Sequence, residues 1–166
     1  MAMGPITVHL MEVILLRVLN STIKVYQNFT GILLNDQNTI KQIVRSKNLL
    51  VDVGLEHLAD QMLDTPLQAK MSHYAIGTGS TAPVAGNTTL ETELVRVALG
   101  SKVQEGKKIV YSSIFVPGVG TGNITEGGLF NAASNGVMGA RLTFATVAKG
   151  AADTFITSHE IIFGAS

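Results

Sequence analysis

Ile124 to Phe144, read as ITEGGLFNAASNGVMGARLTF, is the stretch that decides the fold. Its turn-forming residues gather in Asn131 to Gly136, and apolar positions alternate with polar or small ones on either side, so it reads as a β-hairpin. With that loop, Phe130 faces Val137. Stepping back two residues at a time then pairs Gly128 with Gly139, Glu126 with Arg141 and Ile124 with Thr143. A carboxylate placed opposite a guanidinium is expected as a structural cross-strand pair that helps set register, worth roughly 0.2–1 kcal/mol.

The neighbouring segments carry the same period of two. Phe155, Thr157, His159, Ile161 and Phe163 fall on one face of a closing strand, and Ile156, Ser158, Glu160 and Ile162 on the other. Lys108 to Val116 is apolar on both faces, as in a strand held between two layers. Ser72 to Thr78 and Val95 to Val103 are further strands, and Glu105-Gly106 is the expected turn joining Val95–Val103 to Lys108–Val116. Thr88 to Leu94 has room for a short helical turn.

From Asn48 to Leu63 the period changes. Val51, Leu55, Leu58 and Met62 recur at steps of four and three, with Asp52, Glu56 and Asp60 opposite, which predicts an amphipathic helix. Ser46 or Asn48 is the candidate cap, and Asp64-Thr65-Pro66 the stop. Upstream, Ile6, Val8 and Leu10 alternate with polar residues, Val13, Leu15 and Leu16 lie in an apolar run, and Ile23, Val25 and Phe29 to Leu34 read as strands turned at Asn35-Asp36. The expected fold is therefore mainly β: an antiparallel β-sandwich with one α-helix at about 48–63 and an N-terminal β arm. Residues 1–46 form the arm or docking segment and residues 47–166 the sandwich. Strands in 1–46 that complete the single core are the alternative.

The chain has 166 residues, enough for one well-buried domain. Twelve basic residues balance twelve acidic ones, so no net field draws it to nucleic acid or an anionic membrane. Charged residues are only 14% of the chain, which leaves surface for subunit packing. The absence of cysteine rules out disulfides and thiolate chemistry. The apolar run Ile6 to Leu19 is broken by His9, Glu12 and Arg17 and is shorter than the roughly 20 residues of a membrane span, so no membrane insertion is expected.

Gly77-Thr78-Gly79-Ser80-Thr81-Ala82 has the spacing of a dinucleotide fingerprint, yet Pro83 follows where a helix would have to start, so it reads as a structural loop. Gly118-Val119-Gly120-Thr121-Gly122 lacks the Lys-Ser/Thr ending of a phosphate loop. His57 and Asp60 offer two metal ligands on one helix and no third, which favours a surface histidine; His73 and His159 read as packing histidines. Nothing raises Glu91 and Glu93 above a solvated turn. Asn20, Asn28, Asn87 and Asn123 stand in glycosylation sequons that the composition alone accounts for. Six phenylalanines, three tyrosines and no tryptophan give little for stacking on sugars. No catalytic residue, cofactor or metal ligand is expected.

Three segments in order, HYAIGTGSTAPVAGNTTLETELVRVAL (His73 to Leu99), ITEGGLFNAASNGVMGARLTF and VAKGAADTFITSHEIIF (Val147 to Phe163), resemble the tail-collar or tail-fibre structural proteins of tailed bacteriophages. The resemblance covers about 48–163 and is sharpest at Ala75-Ile76-Gly77-Thr78-Gly79 and Ile124 to Phe130. It implies a β-rich virion component without enzymatic activity, in the tail, collar or baseplate or anchoring a fibre. The implied partners are further copies, a trimer by analogy, and other phage virion proteins. A capsid decoration (cement) protein and a carbohydrate-binding receptor module of a fibre are the alternatives. Ile6, Val8, Leu10, Val13, Leu15 and Leu16 are the expected assembly residues.

Overall fold

The computed structural model describes residues 23–165. Two antiparallel five-stranded sheets pack face to face, with one short helix among the described residues. In chain order the elements are β1 (Ile23–Leu34), β2 (Ile40–Lys47), β3 (Leu49–Leu50), α1 (Asp52–Asp60), β4 (His73–Gly77), β5 (Glu93–Ala98), β6 (Ser101–Glu105), β7 (Lys108–Phe115), β8 (Gly122–Phe130), β9 (Met138–Lys149) and β10 (Thr154–Ala165). The first sheet runs β2-β1-β10-β7-β6 and the second β3-β9-β8-β4-β5. Between them Phe29, Leu33, Tyr74, Ile76, Phe115, Leu129, Leu142 and Phe155 form the main core.

The alternation of the last strand is realised: Phe155, Thr157, His159 and Ile161 are buried, while Phe163, near the strand's end, is exposed. The β6–β7 hairpin turns at Gly106, whose φ of +59° is the left-handed value that a two-residue turn takes without strain only at glycine. The expected strand Val95–Val103 is instead two strands. The chain leaves the second sheet after Ala98 and enters the first at Ser101, and Gly100 N–H bonds to the Ser112 carbonyl (2.8 Å) as it crosses. Thr88 to Leu94 holds no helical turn.

The division near residue 46 is not a boundary within the described residues. β1 lies between β2 and β10 in the first sheet, and Phe29, Leu33 and Val44 are core residues. The strands from Ile23 onward therefore complete the single core. The expected assembly residues Ile6, Val8, Leu10, Val13, Leu15 and Leu16 lie outside the described residues.

The helix is shorter than expected and turned differently. It spans Asp52–Asp60, with Val51 at its N-cap and no side-chain cap. Its buried positions are Gly54 and His57, whereas Leu55 is half exposed and Met62, past its end, is 87% exposed. Gly54 sets this orientation, because a Cβ there would overlap the backbone of Gly139 on β9. The two candidate caps serve elsewhere. The Ser46 hydroxyl donates to the Thr143 carbonyl across the sheets (2.8 Å), and Asn48 reaches His159.

Candidate functional site

Glu126 and Arg141 are the most deeply buried ion pair of the described residues: Glu126 is 0% exposed and Arg141 2%. Arg141 Nε and Nη2 donate to Glu126 Oε2 at 3.0 and 2.9 Å. The register that brings them together differs from the expected one. Gly128 pairs with Arg141 and Glu126 with Thr143: the loop is one residue longer than expected, so Phe130 pairs with Met138 rather than Val137, and a bulge at Leu129/Phe130 adds the second residue of the shift. A shift of two preserves the face, so the side chains meet diagonally rather than directly opposite.

The carboxylate does more than pair. Glu126 Oε1 accepts the N–H groups of Gly79 (2.9 Å) and Thr92 (2.7 Å), and Oε2 that of Glu91 (3.1 Å). Arg141 adds hydrogen bonds to Asn87 Oδ1 (3.1 Å) and Glu91 Oε2 (3.5 Å). Glu91 in turn accepts both the N–H and the hydroxyl of Thr81, at 2.8 Å each. These bonds, the backbone N–H first, hold its carboxyl below its ordinary range. One buried charge pair thus fastens the whole loop from Thr78 to Thr92 onto the outer face of the second sheet. Gly77 and Gly79 leave the space for it, since a Cβ on either would come within 2.6 Å of Glu126 Oε1. Under this loop and the start of α1 lies a second apolar cluster of Val51, Ala75, Leu90, Phe130 and Met138. The fingerprint-like Gly77–Ala82 starts no helix; it is the near side of this fastening.

The histidines have distinct environments. His159 is fully buried, and a neutral ring with its proton on Nε2 satisfies both neighbours, donating to Gln27 Oε1 (3.1 Å) and accepting from Asn48 Nδ2 (3.0 Å). Burial pushes its pKa down to about 3. Tyr74 meets it edge-on, with ring centroids 5.9 Å apart, and burial raises the Tyr74 phenol well above its ordinary value. His57 is buried rather than superficial, at 3% exposure, with Nδ1 lacking a partner. Burial lowers its pKa, with Asp60 opposing. Asp60 itself closes the loop after the helix by accepting the N–H groups of Leu67 and Gln68, at 2.9 Å each. Among the described residues no three His, Asp or Glu side chains gather as a metal site requires. No described helix is long and apolar enough to cross a membrane.

Glu91 and Glu93 are both structural acceptors. Glu93 forks onto Arg96 at 2.7 and 3.0 Å, and that guanidinium lies 3.5 Å over the Phe130 ring. Glu91 carried no pattern that sets it apart, because its partners Thr81 and Arg141 are ten and fifty residues distant.

The outer face of the first sheet presents a different kind of feature. Its strand registers align Ile43 with Ile32, Ile32 with Ile156, and Ile156 with Ile114, a row of four isoleucines across four strands. Ile43 and Ile114 are 42% and 52% exposed, and nearby Ile40 and Val116 are open as well. The adjacent row is Arg45, Thr30, Ser158, Ser112 and Ser101. Unlike the second sheet, this face has no loop or helix of the described residues laid over it. The apolar second face of β7, expected between two layers, is part of this open surface. Comparison with protein-family models, with curated proteins and with solved structures gives no match.

Proposed function

We propose that this chain is a non-enzymatic structural component of a tailed-phage virion, sited in the tail, collar or baseplate or anchoring a fibre, and acting through subunit assembly. The isoleucine row carries this reading. A row of β-branched side chains on the solvent face of a sheet favours strand formation but leaves apolar area that a lone soluble domain normally covers, and such surfaces mark places where proteins meet. Met62 and Leu67, in the segment after α1, are 87% and 88% exposed and offer a second apolar exposure.

The two sharpest segments of the phage resemblance are also the two sides of one structural device. Ala75 to Gly79 and Ile124 to Phe130 pair as β4 and β8 and share the Glu126 carboxylate. A scaffold of this kind needs a fixed loop more than a reacting centre. The carbohydrate-binding alternative is less favoured: the exposed aromatics among the described residues, Tyr26 and Phe163, sit on opposite faces of the first sheet's end and line no cleft together.

Native mass measurement of the full chain, joined to immunogold labelling of a tailed phage that carries it, tests the reading. The expected result is a closed oligomer, a trimer by analogy, with label on the tail, collar or baseplate. Label spread over the capsid would transfer the chain to the cement class. A monomer absent from purified particles would refute the proposal.

A further inference from the structure

The mouth of the sandwich beside α1 holds a cavity of about 470 Å³. That is within the roughly 300–1,000 Å³ of small-molecule sites. Its walls come from three layers: Leu58 from the helix, Leu129 from the second sheet, and Tyr111 and Ile161 from the first, with Met71 alongside. These side chains supply an apolar lining and little to anchor a polar guest. The charged groups at the cavity are of one sign. Lys70 and Lys102 are among its lining residues and no Asp or Glu is. Among the described residues neither lysine has a carboxylate within ion-pair distance, and Lys102 Nζ donates only to the Met71 carbonyl, at 3.1 Å. His57 also lines the cavity, almost wholly buried, with Nδ1 unpartnered by the chain.

We infer that this cavity is a binding site for an anionic amphiphile: an alkyl chain lying between helix and sheets, with a carboxylate at Lys70 and Lys102. An apolar interior favours the chain by removing it from water, and two unpaired ammonium groups select the sign of the head. The inference is independent of a place in a virion.

Decanoate, decanol and decyltrimethylammonium titrated into the full chain, followed by calorimetry and by chemical shifts, test it. Decanoate is expected to bind saturably at one site and to shift resonances of Leu129, Tyr111 and Ile161, with decanol about tenfold weaker and the cation weaker still. Leu58→Trp should fill the cavity and abolish binding; Leu50→Phe is the second filling variant should the first unfold. Lys70→Glu combined with Lys102→Glu should reverse the preference between the anion and the cation. Equal binding of all three probes, no saturable binding at millimolar concentration, or unchanged affinity in a folded filling variant would overturn the site.

Discussion

At Arg141 the cost of a buried charge and the value of its partners can be separated. Arg141→Met leaves the Glu126 carboxylate in a site with no water access, still taking three backbone N–H groups but with its countercharge gone. Breaking a buried pair from one side costs about 3–5 kcal/mol, against about 0–1 for an exposed pair. Urea unfolding of Arg141→Met is therefore expected to show a loss in the upper range, and a loss below about 1 kcal/mol would mean that the pair is solvated. Glu126→Gln should be milder in stability but should open the Thr78–Thr92 loop to proteolysis, because an amide offers one acceptor oxygen where the carboxylate offers two. His159 makes a prediction about pH. Its folded pKa lies near 3 and its unfolded value near 6.5, so the unfolded chain binds the proton that the folded one refuses. Stability is thus complete above pH 6.5 and falls as the pH drops toward 3, by roughly 1.4 kcal/mol per unit. His57, also lowered by burial, acts in the same direction. Urea midpoints measured from pH 7.5 to 5 should decline, and His159→Gln should flatten the decline; an unchanged slope in that variant would remove His159 as its source.

Among the elements, α1 shows a packing contact overriding a hydrophobic period. Intrinsic propensity says that Gly54→Ala should stabilise a helix by about 1 kcal/mol. The backbone of Gly139 occupies the space the methyl needs, so the expected net effect is a loss of about 1–3 kcal/mol, read as a lowered melting temperature. A rise in melting temperature would mean that the helix can lift from β9 freely. The same element explains where sequence reading stops. Leu55, Leu58 and Met62 have the spacing of a buried stripe, but a helix of nine residues contributes one patch, and the smallest residue, not the largest, decides which way it faces. Alternation in β7 and β10 was legible because a period of two survives without knowledge of neighbours. The β8–β9 register was legible only to the correct face, because the loop's extra residue and the bulge's extra residue have no composition cue and together shift the pairing by two. The loop acceptors of Glu126 were not legible at all: backbone N–H groups have no letter in a sequence, and Gly79, Glu91 and Thr92 are more than thirty residues from the carboxylate they share.

For the whole molecule, the two sheets differ in what lies outside them. The second sheet is covered by its own loop and helix, fastened by Glu126 and Arg141, so its outer apolar cluster is enclosed within the chain. The first sheet offers Ile43, Ile32, Ile156 and Ile114 in a single file. Covering a large aliphatic side chain fully contributes roughly 1.5–3 kcal/mol, so finishing the burial of the half-exposed Ile43 and Ile114 amounts to about 2 kcal/mol per contact made. Replacing both with lysine removes that gain and sets charge against an apolar surface. Because Ile43 and Ile114 point away from the core, Ile43→Lys with Ile114→Lys should leave the circular dichroism spectrum and melting profile unchanged at low concentration. Their effect belongs to association: the double variant is expected to shift the proposed oligomer toward monomer by at least about tenfold in sedimentation at equal concentration. An oligomer that persists unchanged would exclude this face as the contact and move the assembly surface to Met62 and Leu67, where the same pair of measurements on Met62→Lys with Leu67→Lys decides the matter.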